Sequence, residues 1–285
     1  MKKKIKRNIS ILTLFILSNI FTYTQSRLRY SRKIVNMKST FKKNIYALQY
    51  SKMTSSTDIC IPKNVYQTYK TPVPTCIQES LDILKNQNKD FNFYFFDDEM
   101  CRDFIKQNFD DEVLNAYNAL IPGAYKADLW RYCIMYIKGG IYIDCKYVMH
   151  GNNKLSSLLN NEYYVRDIPR RNGEYIFQAL LISKPKNELY YKCIQKIVEN
   201  VNSRNIGRCS LDVTGPRLFS DKIRENMEYL INRGKFNILD LKNTGKGNIS
   251  YKDNLFLKVH KKKEYYKNIK KNNKYSKIYP NIYKK

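Results

Sequence analysis

The reading of this chain turns on residues 121–150, IPGAYKADLWRYCIMYIKGGIYIDCKYVMH. Pro122 suits a first helical turn, where the N–H it lacks would have no intrahelical partner. Nothing from Ala124 to Lys138 breaks a helix, and Ala127, Trp130, Ile134 and Ile137 recur at helical spacing as a stripe to bury. Asp128 and Arg131 share another face of that helix. Gly139-Gly140 ends it, because glycine enters the left-handed region without a Cβ penalty. Ile141-Tyr142-Ile143 then reads as a short strand with Asp144 at its exit. A carboxylate at the C-terminal end of a buried strand stands where open α/β sheets bind ligands. The same side chain would equally serve to cap the next turn, and these residues alone leave both readings open.

Working outward, residues 61–69 read as a first strand, closed by Pro72 and Pro74. Thr75 and Gln78 form a capping-box pair for a helix over residues 75–88, with Ile77, Leu81 and Leu84 as its apolar stripe. The aromatic run 91–96 predicts a strand, and Asp97-Asp98 an N-cap in preference to a ligand site. Two short helices follow over 101–109 and 112–120. Beyond the central stretch, strands over 162–166 and 175–183 flank an Arg170-Arg171-Asn172-Gly173 turn, and 187–200 is helical. Thr214-Gly215-Pro216 opens a helix running to about residue 231, and 255–259 is a last strand ending in His260. Strands alternating with helices imply a parallel sheet in a Rossmann-like arrangement.

The central block resembles glycosyltransferase family 32, whose members carry a DXD sugar-binding motif and include yeast-type initiating α-1,6-mannosyltransferases. Lys126-Ala127-Asp128, Arg131-Tyr132, Gly139-Gly140, Tyr142 and Asp144 follow the family's K-[SA]-D-x-x-R-Y…G-G-[IV]-Y-x-D order. Ile61-Pro62-Lys63 with Gln67-Thr68-Tyr69 resembles its opening segment, Phe96-Asp97-Asp98 and residues 120–124 fit as well, and Thr214-Gly215-Pro216 resembles its T-G-P segment. The resemblance implies a GT-A fold, a mixed sheet flanked by helices in a single catalytic domain. It implies transfer of a hexose, with retention, from a nucleotide sugar to a glycan or protein hydroxyl. In that reading Asp144 binds metal or sugar and Asp128 shares the catalytic centre. Asp128, Arg131, Gly140, Tyr142, Lys146 and Gly215 would hold the nucleotide sugar, with the free N–H groups after Thr214 facing phosphate or acceptor hydroxyls. Mn²⁺ or Mg²⁺ is the expected cofactor, since a departing diphosphate needs its charge neutralised. His260 is a candidate metal ligand beside Asp144, or else a solvated histidine in a basic tail.

Departures accompany the match. The family's opening histidine and tryptophan are Tyr66 and Tyr69, and the second acid of the DXD is Lys146. A protonated lysine cannot ligate a cation, although its own charge can face a diphosphate. Metal dependence is therefore in question, and a catalytically silent, membrane-tethered glycan-binding or scaffold relative is the rival reading.

Composition bounds the rest. A chain of 285 residues with 43% apolar and 14% aromatic content can bury a sizeable core. Its +27 charge is concentrated at the ends: residues 1–46 and 258–285 together carry +22 of it. A body near +5 without zinc-finger, RNA-recognition or helix-turn-helix patterns argues against nucleic acid. Lys2, Lys3, Lys4, Lys6 and Arg7 precede an apolar run, the order of a signal anchor. The expected organisation is an anchor over residues 1–24, a basic stem over 25–58, a GT-A domain over 59–260 and a basic tail over 261–285. That is a single-pass type II membrane protein of the Golgi or a host endomembrane, with its domain in the lumen. There Asn248-Ile249-Ser250 would be a usable sequon. Seven scattered cysteines without a C-x-x-C spacing indicate neither a zinc site nor a disulfide framework.

Overall fold

The structure is a computed structural model that describes residues 61–167, 175–226, 236–241, 248–251, 254–272 and 281–284. The anchor and stem read over residues 1–58, Cys60, and the 170–173 turn lie outside the described residues. Among the described residues no helix is long and apolar enough to cross a membrane.

The chain runs β1 (Asn64–Thr68), α1 (Thr75–Gln87), β2 (Asn92–Phe96), α2 (Asp98–Asn108), α3 (Asp111–Ala119), α4 (Gly123–Lys138), β3 (Gly140–Ile143) and β4 (Tyr147–Met149). It continues through β5 (Glu162–Arg166), β6 (Ile176–Ser183), α5 (Glu188–Asn202), α6 (Pro216–Glu225), β7 (Phe236–Leu241), β8 (Ile249–Tyr251), β9 (Asn254–Val259) and α7 (Lys262–Asn272). Most of this follows the local signals. Asp97 caps α2 by accepting from the N–H groups of Glu99 and Met100, and Asn187 caps α5. The capping box expected at Thr75 does not form: Pro74 takes the N-cap position without a side-chain cap, and Gln78 instead donates to Asp82. Residues 262–272, read as part of a basic tail, fold as α7.

Among the described residues nine strands form one sheet in the order β2-β1-β3-β6-β5-β7-β8-β9-β4. The expectation of a parallel sheet applies to only part of it. β2, β1 and β3 are mutually parallel, and β5 pairs parallel with β7, but β6, β8, β9 and β4 join antiparallel. The sheet cannot be flat. β3 and β4 are separated by Asp144-Cys145-Lys146 alone, a reach of about 14 Å at most, yet six strand spacings lie between them, about 29 Å in a flat sheet. The β7-β8-β9-β4 portion therefore folds back toward β3, and the Asp144-Cys145-Lys146 corner lies at the fold. Ile141, Ile143, Tyr147, Met149, Leu257 and Val259 meet in one apolar cluster inside this curl.

On the sheet's other face α4 is buried more broadly than its four-residue stripe predicts. Ala127 and Ile137 are only half-buried, whereas Leu129, Tyr132 and Cys133 are fully enclosed along with the charged pair Asp128 and Arg131. The turn that follows needs both glycines. Gly139 has φ +60° and Gly140 φ +92°, and a Cβ on Gly140 would stand 2.6 Å from the Asn64 carbonyl oxygen of β1. This tight passage sets β3 beside β1.

Candidate active site

Asp144 sits where β3 ends. Its N–H donates to Ala179 of β6 and its carbonyl accepts from Tyr147, so the backbone is held from both sides. The Tyr142 hydroxyl donates to Oδ1 at 2.9 Å, and the Lys146 ammonium donates to Oδ2 at 2.7 Å. Arg131 reaches the same carboxylate from α4 at 3.7 Å, with its guanidinium 4.6 Å from the Tyr142 ring centre. Burial alone would raise this carboxyl, but Lys146 and Arg131 outweigh it and hold Asp144 below the ordinary carboxylate value. Lys146 is buried too, and Asp144 more than offsets that cost, so its ammonium is held charged above the ordinary lysine value.

Arg131 joins this corner to a second, fully enclosed carboxylate. It donates through Nε to the Ala127 carbonyl and through Nη1 to the Gln178 carbonyl, and pairs through Nη2 with Asp128 at 3.1 Å. Asp128 also accepts from the Gln178 amide at Oδ1 and from Thr214 at Oδ2, 2.8 Å. The Tyr132 hydroxyl fixes the Gln178 amide from its other end. Burial lifts Asp128 to about 7, with Arg131 and Thr214 opposing the rise. Its two oxygens are both engaged with protein groups and it is 6% exposed.

The structure thus brings Asp128, Arg131, Tyr142, Asp144, Lys146 and the Thr214-Gly215 turn into one connected network. Gly215 is the N-cap of α6, directly after the threonine that holds Asp128. Gly140 is not part of the network: it begins β3, about 13 Å of strand from Asp144, and serves the approach to β1. His260 comes close in backbone terms, its N–H donating to the Lys146 carbonyl. Its ring turns elsewhere, with Nε2 3.2 Å from Glu79 of α1, which Lys261 also engages. Sequence reading missed Gln178, whose signal was a lone amide inside the apolar strand IFQALLIS. It also missed Tyr147, Phe177 and Tyr265, whose rings stand 5.2, 5.5 and 5.9 Å from the Lys146 ammonium.

These groups do not fit a divalent cation as the family pattern would have it. The single carboxylate at the corner is already bound by an ammonium, with a guanidinium beside it, and His260 is committed to Glu79. Among the described residues no group of three or more His, Cys, Asp or Glu side chains is placed to hold a metal ion.

Residues 74–164 match the glycosyltransferase sugar-binding region containing DXD motif, a span that includes Asp128, Arg131, Tyr142 and Asp144. Over these residues the chain is similar to this glycosyltransferase family. It is similar to the initiation-specific alpha-1,6-mannosyltransferase of Candida albicans, 23% identical over 60% of this chain and 54% of that one. It is similar also to the uncharacterized glycosyltransferase L373 of Acanthamoeba polyphaga mimivirus, 30% identical over 48% and 53%, and to inositol phosphoceramide mannosyltransferase 2 of Schizosaccharomyces pombe, 29% over 62% and 50%. The chain spans about half the length of these curated relatives. Among solved structures, PaToxG Glycosyltransferase shares the fold, with a TM-score of 0.50 at 17% identity over 71% of this chain and 82% of that one. The matched region and the shared fold give a GT-A-like mixed sheet with the sugar-binding motif at the C-terminal edge of β3.

Proposed function

We propose that this protein transfers a hexose from a nucleotide sugar to a glycan or protein hydroxyl, with retention, and that the hexose is mannose as in the names of the relatives. The observation that carries this is the corner at the end of β3, where Asp144 is held between Tyr142, Lys146 and Arg131. In the transfer, the bond from the anomeric carbon to the diphosphate breaks and a bond to the acceptor oxygen forms. The acceptor's proton and the nucleoside diphosphate are released. Asp144 accepts hydrogen bonds from sugar hydroxyls. Arg131 and Lys146 meet the charge gathering on the leaving diphosphate, where fixed cations stabilise the transition state more than the ground state. Asp128 acts through Arg131 as a positioning residue, because its oxygens are already taken. Gly215, at the amino end of α6, keeps the chain beside Thr214, the residue that donates to Asp128.

In this reading the domain faces a secretory lumen behind an N-terminal anchor, as the charge order of the first residues suggests. The sequon does not contribute. Asn248 accepts from the Val259 N–H and Ser250 is buried in β8.

The test is release of UDP or GDP from a panel of UDP- and GDP-sugars by the full-length protein, with GDP-mannose included. Turnover of one donor that falls about a hundredfold or more in Asp144→Asn is expected. Absence of turnover, together with equal donor binding by wild type and Asp144→Asn, would refute the assignment.

A further inference from the structure

Resting on that reading, we infer that Lys146 stands in for the divalent cation, and that the site binds the diphosphate of its donor without metal. Two carboxylates and one divalent cation sum to zero charge. Asp144 with Lys146 sums to zero as well, so the substitution at the second acid preserves the electrostatic balance of a metal-loaded motif without the metal. A divalent cation seated on Asp144 would instead approach an ammonium already 2.7 Å from its Oδ2, at a separation where like charges repel strongly in a buried site.

The lysine is also held as a resident cation would be. Its carbonyl accepts from His260, its side chain is 12% exposed, and Tyr147, Phe177 and Tyr265 surround the ammonium at 5.2 to 5.9 Å. Aromatic faces hold a cation in place without consuming its N–H groups in conventional hydrogen bonds. An ammonium has three donors. One serves Asp144, which leaves the others for phosphate oxygens. Tyr265 belongs to α7, which β9 carries across the motif through the His260–Lys146 backbone bond, and Glu79 secures the start of that helix through His260 and Lys261. The C-terminal segment therefore completes the wall around the ammonium.

Isothermal titration of the full-length protein with UDP and with GDP, in excess EDTA and in MnCl₂, tests this. One of the two nucleotides should bind with the same affinity in both buffers. Lys146→Ala should weaken that binding about tenfold or more in EDTA, the scale of one charge-assisted hydrogen bond. Lys146→Arg should keep most of it. Lys146→Asp, which restores the acid of the family pattern, should bind only with Mn²⁺. Wild-type binding that collapses in EDTA and returns with Mn²⁺ would overturn the inference while leaving the glycosyltransferase reading intact, as would unchanged affinity in a folded Lys146→Ala. Binding of neither nucleotide in either buffer would overturn both.

Discussion

Replacing Arg131 by methionine removes the group that links the two buried carboxylates while keeping a stem of similar bulk. Two losses follow. The buried Gln178 carbonyl loses its guanidinium donor, at about 1–3 kcal/mol for an acceptor left short, while the half-buried Ala127 carbonyl loses a second donor and keeps its helical one. Asp128 loses its cation, and its carboxyl, already lifted to about 7 by burial, moves higher. A carboxyl raised above its unfolded value contributes stability that is fully present below that value and is lost as pH rises through the folded value. Above about pH 7 the wild-type group is ionised and its contribution no longer changes, whereas the variant keeps binding a proton that its unfolded chain has released. The penalty is therefore flat from pH 6 to 7, at about 1–3 kcal/mol. It then grows by about 1.4 kcal/mol per pH unit up to the variant's own, higher value. Urea unfolding at pH 6 and pH 8.5 measures this, followed by fluorescence of the single tryptophan, Trp130, which is buried beside Arg131. The pH-dependent part should vanish when Asp128→Asn is added, since no carboxyl remains to titrate. Equal penalties at both pH values, or a loss below about 1 kcal/mol, would show that the guanidinium does not organise Asp128.

Thr214→Val removes the hydroxyl on Asp128 Oδ2 and should cost about 1–2 kcal/mol, with the same growth above pH 7 in the same unfolding series. Gly140→Ala combines φ +92° with a Cβ 2.6 Å from the Asn64 carbonyl, so a loss of about 3 kcal/mol or more is expected, read as a fall in melting temperature. Asp97→Ala deletes a cap that accepts from two N–H groups and should cost about 1 kcal/mol without altering nucleotide binding by calorimetry.

Much of the fold is written locally. The helix over 123–138, its double-glycine stop, the short strand after it and the caps at Asp97 and Asn187 all depend on neighbours within one turn, which periodicity and cap chemistry report directly. The three-residue spacing of Asp128 and Arg131 put them on one helix face, where the structure pairs them, and the Gly-Gly-x-Tyr-x-Asp order placed Asp144 at a strand exit. Where local signals competed the outcome differed: Pro74 displaced Thr75 as the cap of α1, and part of the lysine-rich tail folds as a helix with Tyr265 packed, partly buried, against the cluster that includes Cys145 of the motif.

The site itself was only half legible. Residue types and order identified Asp144, Arg131 and Lys146 as a charged group near a strand end, and nothing in one sequence says which charges touch. That depends on contacts closed over long stretches of chain. Gln178 meets Asp128 across 50 residues, Thr214 across 86, and Glu79 claims the His260 ring across 181. They arise from strand pairing, from the placing of the turn before α6 and from the curl that returns β9 and β4 to β3, non-local geometry with no period in the sequence. Residue order placed Asp144 at a strand exit and carried the family resemblance at this corner. The folded sheet decided what surrounds the Asp144–Lys146 pair, because only there does Tyr265 of the C-terminal segment come within reach of the ammonium.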